Sequence, residues 1–292
     1  MKIAIYSRTS SNVDADNLQK LLDHLHTYEI VPMIYEPFYK LAVEALKGFK
    51  DCQTFSKAED LKRDVEFMIS MGGDGTLLES LCYVRERDIP IVGINFGRLG
   101  FLSIIGKDNM DGLVKSLIHR TYQVERRNLI HVDSNLPLFG DIPYGLNDFG
   151  IHKKDSSAMI KIPTYINGTF LNTYWADGLI VSTPTGSTAY SMSCGGPIVL
   201  PETSNFIITP VAPHNLNVRP IVVSDDSEIS FEIGGRGDQF LCSLDTRMET
   251  IDRTVKLSVR KEHFTVGLIR YDESDFLKTL RDKLLWGADK RN

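Results

Sequence analysis

The residues Met71-Gly72-Gly73-Asp74-Gly75-Thr76 set a single carboxylate among three glycines. An apolar, strand-like run (65–70) leads into them and a helix-like run (77–82) leads away. Glycine lets a chain turn sharply and lets its N–H groups approach a bulky anion with no Cβ in the way. The N–H groups that open a helix add partial positive charge at the same place. Such a loop can cradle phosphates and puts Asp74 where a proton or a metal is handled. The same residues also suit a tight strand-to-helix turn with Asp74 as the N-cap.

A second stretch, 177–197, runs Asp-Gly-Leu-Ile-Val-Ser-Thr-Pro-Thr-Gly-Ser-Thr-Ala-Tyr-Ser-Met-Ser-Cys-Gly-Gly-Pro. Its hydroxyls donate and accept, which suits amide, adenine and ribose groups, and its small residues permit close approach. Pro184 and Gly186 predict a turn there, with a short helix opening over 187–193. The competing reading is a Ser/Thr-rich capped turn. A further glycine turn, 95–102, reads as a loop returning Phe101 and Leu102 to the core, or as a wall of the same pocket. Other signatures are missing: there is no GxxxxGK[ST], no GxGxxG after the first strand, no kinase HRD or DFG pair and no GxSxG elbow. His152 or His214 could enter a Ser/His/Asp set, but no spacing asks for one.

The elements that must position these stretches fall into two patterns. Residues 1–102 alternate strand and helix. Apolar runs over 2–6, 30–35, 65–70 and 89–94 predict strands, and Leu18, Leu21, Leu22 and Leu25 mark one face of a helix over 17–28. Leu41, Ala42, Ala45 and Leu46 mark a shorter one, and 111–119 another. That rhythm predicts an α/β domain with a parallel sheet, in which ligands bind at the carboxyl ends of strands. The glycine loop leaves such an end. From residue 122 to 270 short β-prone segments dominate, about nine or ten of them, predicting an all-β domain. Among the segments are 144–151, 255–260 and 265–269, and Asn167-Gly168 signals a hairpin. Residues 224–228, together with Asp14 and Asp16, read as solvated acids. A last amphipathic helix over 275–286 needs an apolar surface on which to dock.

The chain has 292 residues, 42% of them hydrophobic and 24% charged, with a formal net charge of −5. This suits a globular protein of about two domains. It argues against a dedicated nucleic-acid or membrane-surface binder, which carries a basic face. No apolar run reaches spanning length. The four cysteines are scattered, with no CxxC pair, and the seven histidines show no HExxH spacing. These features predict reduced thiols, a cytoplasmic location and no zinc site.

Taken together, GGDGT (72–76), NFGRLGFL (95–102), Leu146-Asn147-Asp148, DGLIVSTPTGSTAYSMSCGGP (177–197), VAPHNL (211–216) with Arg219-Pro220, and LRDKLLWG (280–287) resemble the NAD kinases in order along nearly the whole chain. GGDGT alone is shared with lipid kinases and is close to the GGDGS of phosphofructokinases. The longer TPTGSTAY stretch is far more specific. The resemblance implies an α/β domain (1–102), a β-rich dinucleotide-binding domain (122–270) and a C-terminal helix (275–292) that packs back on the first domain. It implies transfer of the ATP γ-phosphoryl group to the 2′-hydroxyl of the adenosine ribose of NAD. It also implies a divalent metal, usually Mg²⁺, and a homodimer or homotetramer. NAD and ATP are then the partners, with neither nucleic acid nor membrane. The alternatives are another GGDGT kinase, acting on a lipid or a sugar, and a non-catalytic dinucleotide-binding regulator.

By the same resemblance, Asp74 matches the catalytic base and Gly75 a backbone contact to the dinucleotide. Gly72, Gly73 and Thr76 complete the phosphate loop. Asn147 and Asp148 match a pair that binds ribose hydroxyls, commonly Asn-Glu, so Asp148 is a shorter variant. Asp177 matches a nicotinamide-side contact. Thr188, Ala189, Tyr190, Ser191, Met192 and Ser193 match the lining of the adenine and nicotinamide pockets, and Ala212 a further contact. No protein residue is assigned to the metal. Two positions depart from the pattern. Trp175 stands where many members carry a basic residue, and Asp245-Thr246-Arg247 replaces Asp-Gly-Gln or Asp-Ser-Gln, with Arg247 a possible cation near ligand phosphate.

Overall fold

The structure, a computed structural model, describes residues 1–9, 15–49, 51–97, 99–154, 158–235, 237–271 and 276–286. Asp14, Arg98 and the end of the C-terminal motif at Gly287 lie outside them. Two compact units emerge, one made of Met1–Arg126 with Val266–Asn292 and the other of Arg127–Thr265.

The first unit is built on parallel strands in the order Gln53–Phe55, Val31–Tyr35, Lys2–Tyr6, Val65–Met71 and Ile91–Asn95. Helices Ala15–Thr27, Glu36–Ala42 and Asp74–Val84 lie in crossovers between them, and Met110–His119 follows the last strand. In the first of them Leu18, Leu21, Leu22 and Leu25 are fully buried against Ile3, Ile5 and Ile34, as their spacing predicts. The second helix starts earlier than its apolar residues suggest. Pro37 sits in its first turn, where a fixed φ is already helical, and the segment after Ala42 tightens into a 3₁₀ turn over Val43–Ala45 that leaves Leu41 exposed. Helix Phe276–Leu284 belongs to this unit, with Leu280 buried and the Lys283 ammonium 5.9 Å from the centre of the Phe101 ring.

The second unit carries an antiparallel sheet in the order Ile221–Ser224, Asn205–Val211, Gly178–Ser182, Asp148–Lys153, Gln239–Leu244 and Arg247–Asp252. Strands Thr169–Ala176, Ile160–Ile166 and Ile229–Phe231 pair in a second layer. Phe149, Ile151 and Leu179 share one core with Ile162, Tyr174 and Phe231 of that layer. Asn167 and Gly168 take φ of 50° and 76° in the two-residue hairpin between Ile166 and Thr169, as the Asn-Gly signal predicts.

Three expectations change. Residues 144–151 are not one strand, because Leu146 and Asn147 interrupt Tyr144–Gly145 and Asp148–Lys153. The two segments expected over 255–260 and 265–269 form a single strand, Leu257–Arg270. Its charged middle is tolerated because the buried Glu262 takes a 2.6 Å contact from the His131 ring. The acids at 224–228 are not all solvated. Asp225 is 1% exposed and binds Lys261 Nζ at 3.1 Å and Asn128 Nδ2 at 2.7 Å.

Candidate active site and dinucleotide elbow

Strand Val65–Met71 ends at the glycine loop, and the following helix begins at Asp74 with Gly73 as its N-cap. Asp74 therefore does not cap its own helix. Its carboxylate reaches across to the loop that follows Ile91–Asn95. Oδ2 accepts the Phe101 N–H at 2.8 Å, while Oδ1 accepts those of Leu102 at 3.1 Å and Ser103 at 2.8 Å. The approach is so close that a Cβ on Gly100 would lie 1.7 Å from Oδ1. Glycine there is a packing requirement.

The loop's own donors divide in two. The Gly72 N–H goes to the Ile94 carbonyl at 2.8 Å and the Thr76 N–H to the Gly73 carbonyl at 2.9 Å. Of the residues matched to the phosphate loop, Gly72 and Thr76 thus spend their N–H groups on the fold. Asp74 and Gly75 occupy the first two helical positions, whose N–H groups have no acceptor inside a helix. These donors, and the positive helix end they mark, are what the loop offers an anion.

Sequence reasoning passed over Arg8, just beyond the first strand. Its Nη2 donates to the Gly75 carbonyl at 3.1 Å and lies 2.6 Å from Glu79 Oε1, while the Tyr6 hydroxyl holds Glu79 Oε2 at 2.9 Å. A guanidinium is so fixed at the start of the helix. The only signal in the sequence is a cation at the carboxyl end of a strand, the edge where ligands of parallel sheets bind.

In the second unit Asn147 and Asp148 sit on the elbow between two short strands. Asp245 holds the elbow much as Asp74 holds its loop. Oδ2 accepts the Leu146 N–H at 2.7 Å, and Oδ1 accepts those of Asn147 at 2.8 Å and Asp148 at 3.2 Å. Asp245 reaches inward from a tight turn with φ of 53°. Thr183 grips the other side, its N–H on the Asn147 carbonyl at 2.9 Å and its hydroxyl on that of Leu146 at 2.6 Å. Asn147 Oδ1 is buried with no partner, which is the state of an acceptor prepared for a ligand donor. Burial, and then the neighbouring charge of Asp245, pushes the Asp148 carboxyl up to about 7.

The hydroxyl-rich stretch folds as strand Gly178–Ser182, a 3₁₀ turn Thr185–Thr188 and one helical turn Tyr190–Ser193. Several of its hydroxyls serve the fold. Ser187 Oγ donates to the Val199 carbonyl and accepts its N–H, and the fully buried Ser191 pairs with Thr209 at 2.8 Å. Among the matched residues, Thr188, Ala189, Tyr190, Met192 and Ser193 keep surface, whereas Ser191 does not. Asp177 binds Lys153 Nζ at 2.7 Å, and its N–H bonds the Val211 carbonyl, next to Ala212 with φ of 45°. At Trp175 a cation is present after all, since Lys161 Nζ of the adjacent strand stands 4.4 Å from the centre of the indole. Arg247 is occupied by the carbonyls of Ile142 and Tyr144 and stacks on Phe139, so it clamps the chain leading into the elbow.

Comparison with known proteins matches residues 38–122 to the ATP-NAD kinase N-terminal domain and 146–271 to the ATP-NAD kinase C-terminal domain. The NAD kinase of Cytophaga hutchinsonii is 48% identical over 295 residues, with 100% of both chains covered. The chain belongs to the NAD kinase family. A second member, from Flavobacterium psychrophilum, is 42% identical, again over 100% of both chains. Two solved structures share the fold at 22% identity. Yeast NADH kinase complexed with NADH has a TM-score of 0.88, covering 99% of this chain and 89% of that one. An NAD kinase from Archaeoglobus fulgidus in complex with ATP has a TM-score of 0.75, covering 98% and 99%. Among the described residues, the glycine loop and the elbow both carry polar groups without a partner inside the fold.

Proposed function

We propose that this protein phosphorylates the 2′-hydroxyl of the adenosine ribose of NAD with ATP, giving NADP and ADP. The observation that carries the chemistry is the hydrogen bonding of Asp74. Oδ1 takes two N–H groups and Oδ2 only one, so Oδ2 keeps a lone pair for a hydroxyl. A carboxylate is a weak base for a ribose hydroxyl. Asp74 therefore orients the hydroxyl first and takes its proton late, once P–O bonding has made it more acidic. The first-turn N–H groups and Arg8 offset phosphate charge. Asn147 and Asp148 accept from ribose hydroxyls, and the exposed part of 188–193 lines the base pockets.

Among the described residues no three His, Cys, Asp or Glu side chains converge on a metal site. Mg²⁺ would be held mainly by the ATP phosphates, with Asp74 the carboxylate at hand. When bound, the ion would supply charge neutralisation on the transferring phosphoryl group. Among the described residues, no helix is long and apolar enough to cross a membrane. A cytoplasmic homodimer or homotetramer completes the reading.

The test is NADP formation from NAD, ATP and Mg²⁺, with diacylglycerol and sugar acceptors run beside NAD. We expect NADP alone. No NADP with any donor refutes the reading. Tight NAD binding without product would point to a regulator, and phosphorylated lipid or sugar to a different kinase.

A further inference from the structure

We propose that Asp245 is a positioning residue for the ribose-binding pair: it sets where Asn147 and Asp148 stand, and its charge beside the buried Asp148 adds to burial in making dinucleotide affinity depend on pH. The proposal rests on the functional reading above and deepens it.

The geometric case is independent of any titration. Three consecutive N–H groups of the elbow converge on one carboxylate carried by a distant turn. Consecutive main-chain N–H groups that converge in this way form a concavity suited to an anion. Arg247, in the same turn, holds the carbonyls of Ile142 and Tyr144 just upstream. A Cβ on Gly145 would lie 2.9 Å from the Asp245 carboxyl carbon, so the elbow is closed down onto the side chain. Asn147 Oδ1, left unpartnered inside, owes its position to this staple.

The electrostatic case follows from the neighbours. The groups acting on Asp148 are Asp245, on the turn, and Tyr190 and Cys194, on the short helix that also feels Asp177. Burial raises Asp245 as well, opposed by its three N–H donors and by Arg247. Those donors favour a charged Asp245, so the proton shared by the two carboxyls resides on Asp148. A carboxyl that must accept from two ribose hydroxyls binds best ionised. Affinity for NAD should therefore rise as pH climbs through about 7 and level off above it.

The experiment measures NAD KM, ATP KM and kcat from pH 5.5 to 8.5 for the wild type, Asp245→Asn, Asp148→Asn and Gly145→Ala. Wild-type NAD KM should fall with pH to a plateau. In D245N, an amide offers one acceptor oxygen to three N–H groups. NAD KM should rise by roughly tenfold, a loss of one good hydrogen bond, more than kcat falls and with ATP KM little changed. The midpoint of the pH profile should move down, because a neighbouring negative charge is gone. D148N should show no midpoint. G145A should raise NAD KM while keeping the midpoint, since no ionisable group is lost. A D245N variant that loses only thermal stability, with NAD KM and midpoint unchanged, overturns the proposal, as does a wild-type pH profile in D148N. Carboxyl NMR titration of the full chain needs no substrate. A midpoint for Asp148 in the usual carboxylate range, or one unmoved by D245N, overturns the coupling even if the protein makes no NADP. Absence of NADP from the wild type would instead count against the function itself.

Discussion

Replacing Asp74 with Asn tests two roles of one side chain, the hydrogen bonds it makes and the chemistry proposed for it. Three N–H groups converge on its two oxygens. An Asn oxygen in the place of Oδ1 still serves Leu102 and Ser103, but its NH₂ then faces the Phe101 N–H, donor against donor. Losing one charge-assisted hydrogen bond and leaving a donor unsatisfied costs about 2 kcal/mol. For a chain of this size that lowers Tm by about 4–8 °C. Separately, the substrate hydroxyl loses its acceptor, and loss of a positioned general base costs about 10²–10⁴ in rate. We expect D74N to show both effects, with NAD affinity within about tenfold of wild type, since the other proposed ribose and base contacts lie elsewhere. Thermal melting, NAD titration and steady-state turnover measure the three quantities. Gly100→Ala separates the roles. Its Cβ disturbs the same loop, 1.7 Å from Oδ1, while leaving the carboxylate in place. If chemistry needs the carboxylate itself, G100A loses less turnover than D74N at equal destabilisation. A D74N enzyme that melts early yet turns over normally would leave Asp74 as a staple only. One that is normal in both respects would refute the hydrogen-bond reasoning altogether.

Two other expectations follow from the same geometry. Arg8→Ala should raise ATP KM and lower kcat more than it changes NAD KM, with Arg8→Lys recovering part of the loss; equal effects on both substrates would take Arg8 away from the phosphates. Burial, with the charge of Asp245, raises Asp148 in the folded state from the ordinary carboxylate range to about 7. Its sign is therefore that of a buried acid: the fold holds the proton that the unfolded chain releases, so stability is fullest at low pH and is lost as pH rises towards 7. Asp148→Asn should remove that slope. Its stability relative to wild type should improve by about 3 kcal/mol between pH 5 and pH 8, read by urea unfolding at the two values; a difference that does not change with pH would show that Asp148 titrates as an exposed acid.

What the sequence disclosed was whatever neighbours decide. Leucines at helical spacing found the buried face of Ala15–Thr27, and Asn167-Gly168 found its hairpin, because a few adjacent residues suffice to determine each. The glycine loop was visible as a turn for the same reason. Its use was not, since the acceptor of the Phe101 N–H stands 27 residues away and that of the Leu146 N–H 99 residues away. Charged residues misled in two directions. Lys261, Glu262 and His263 look like a break between strands, yet Leu257–Arg270 runs through them because Glu262 finds partners in His131 and His263. Asp225 looks like a turn acid and is buried against Lys261 and Asn128. In each case the deciding partner is remote in sequence and leaves no local pattern.

The recurrence of one device in both units bears on why the reactive residues are placed as they are. A loop that must present a side chain to a ligand has to be rigid, but its own N–H groups cannot all be satisfied by a sheet. A carboxylate solves this, since it accepts several strong hydrogen bonds from consecutive N–H groups and cannot itself donate while charged. Asp74 and Asp245 do this with the same pattern, two N–H groups on one oxygen and one on the other. They differ in what stands beside them. Next to Asp245 lies a second carboxyl, Asp148, with an amide acceptor in Asn147, so the staple supports the neighbours proposed to meet the ribose. Near Asp74 stand helix-opening N–H groups and Arg8, which suit phosphate, so in the proposed reading the remaining lone pair of Asp74 is the group that meets a hydroxyl. Asp74 supports its loop as well as serving as the proposed reacting group, and a substitution there cannot be silent for structure even when it is chosen for chemistry.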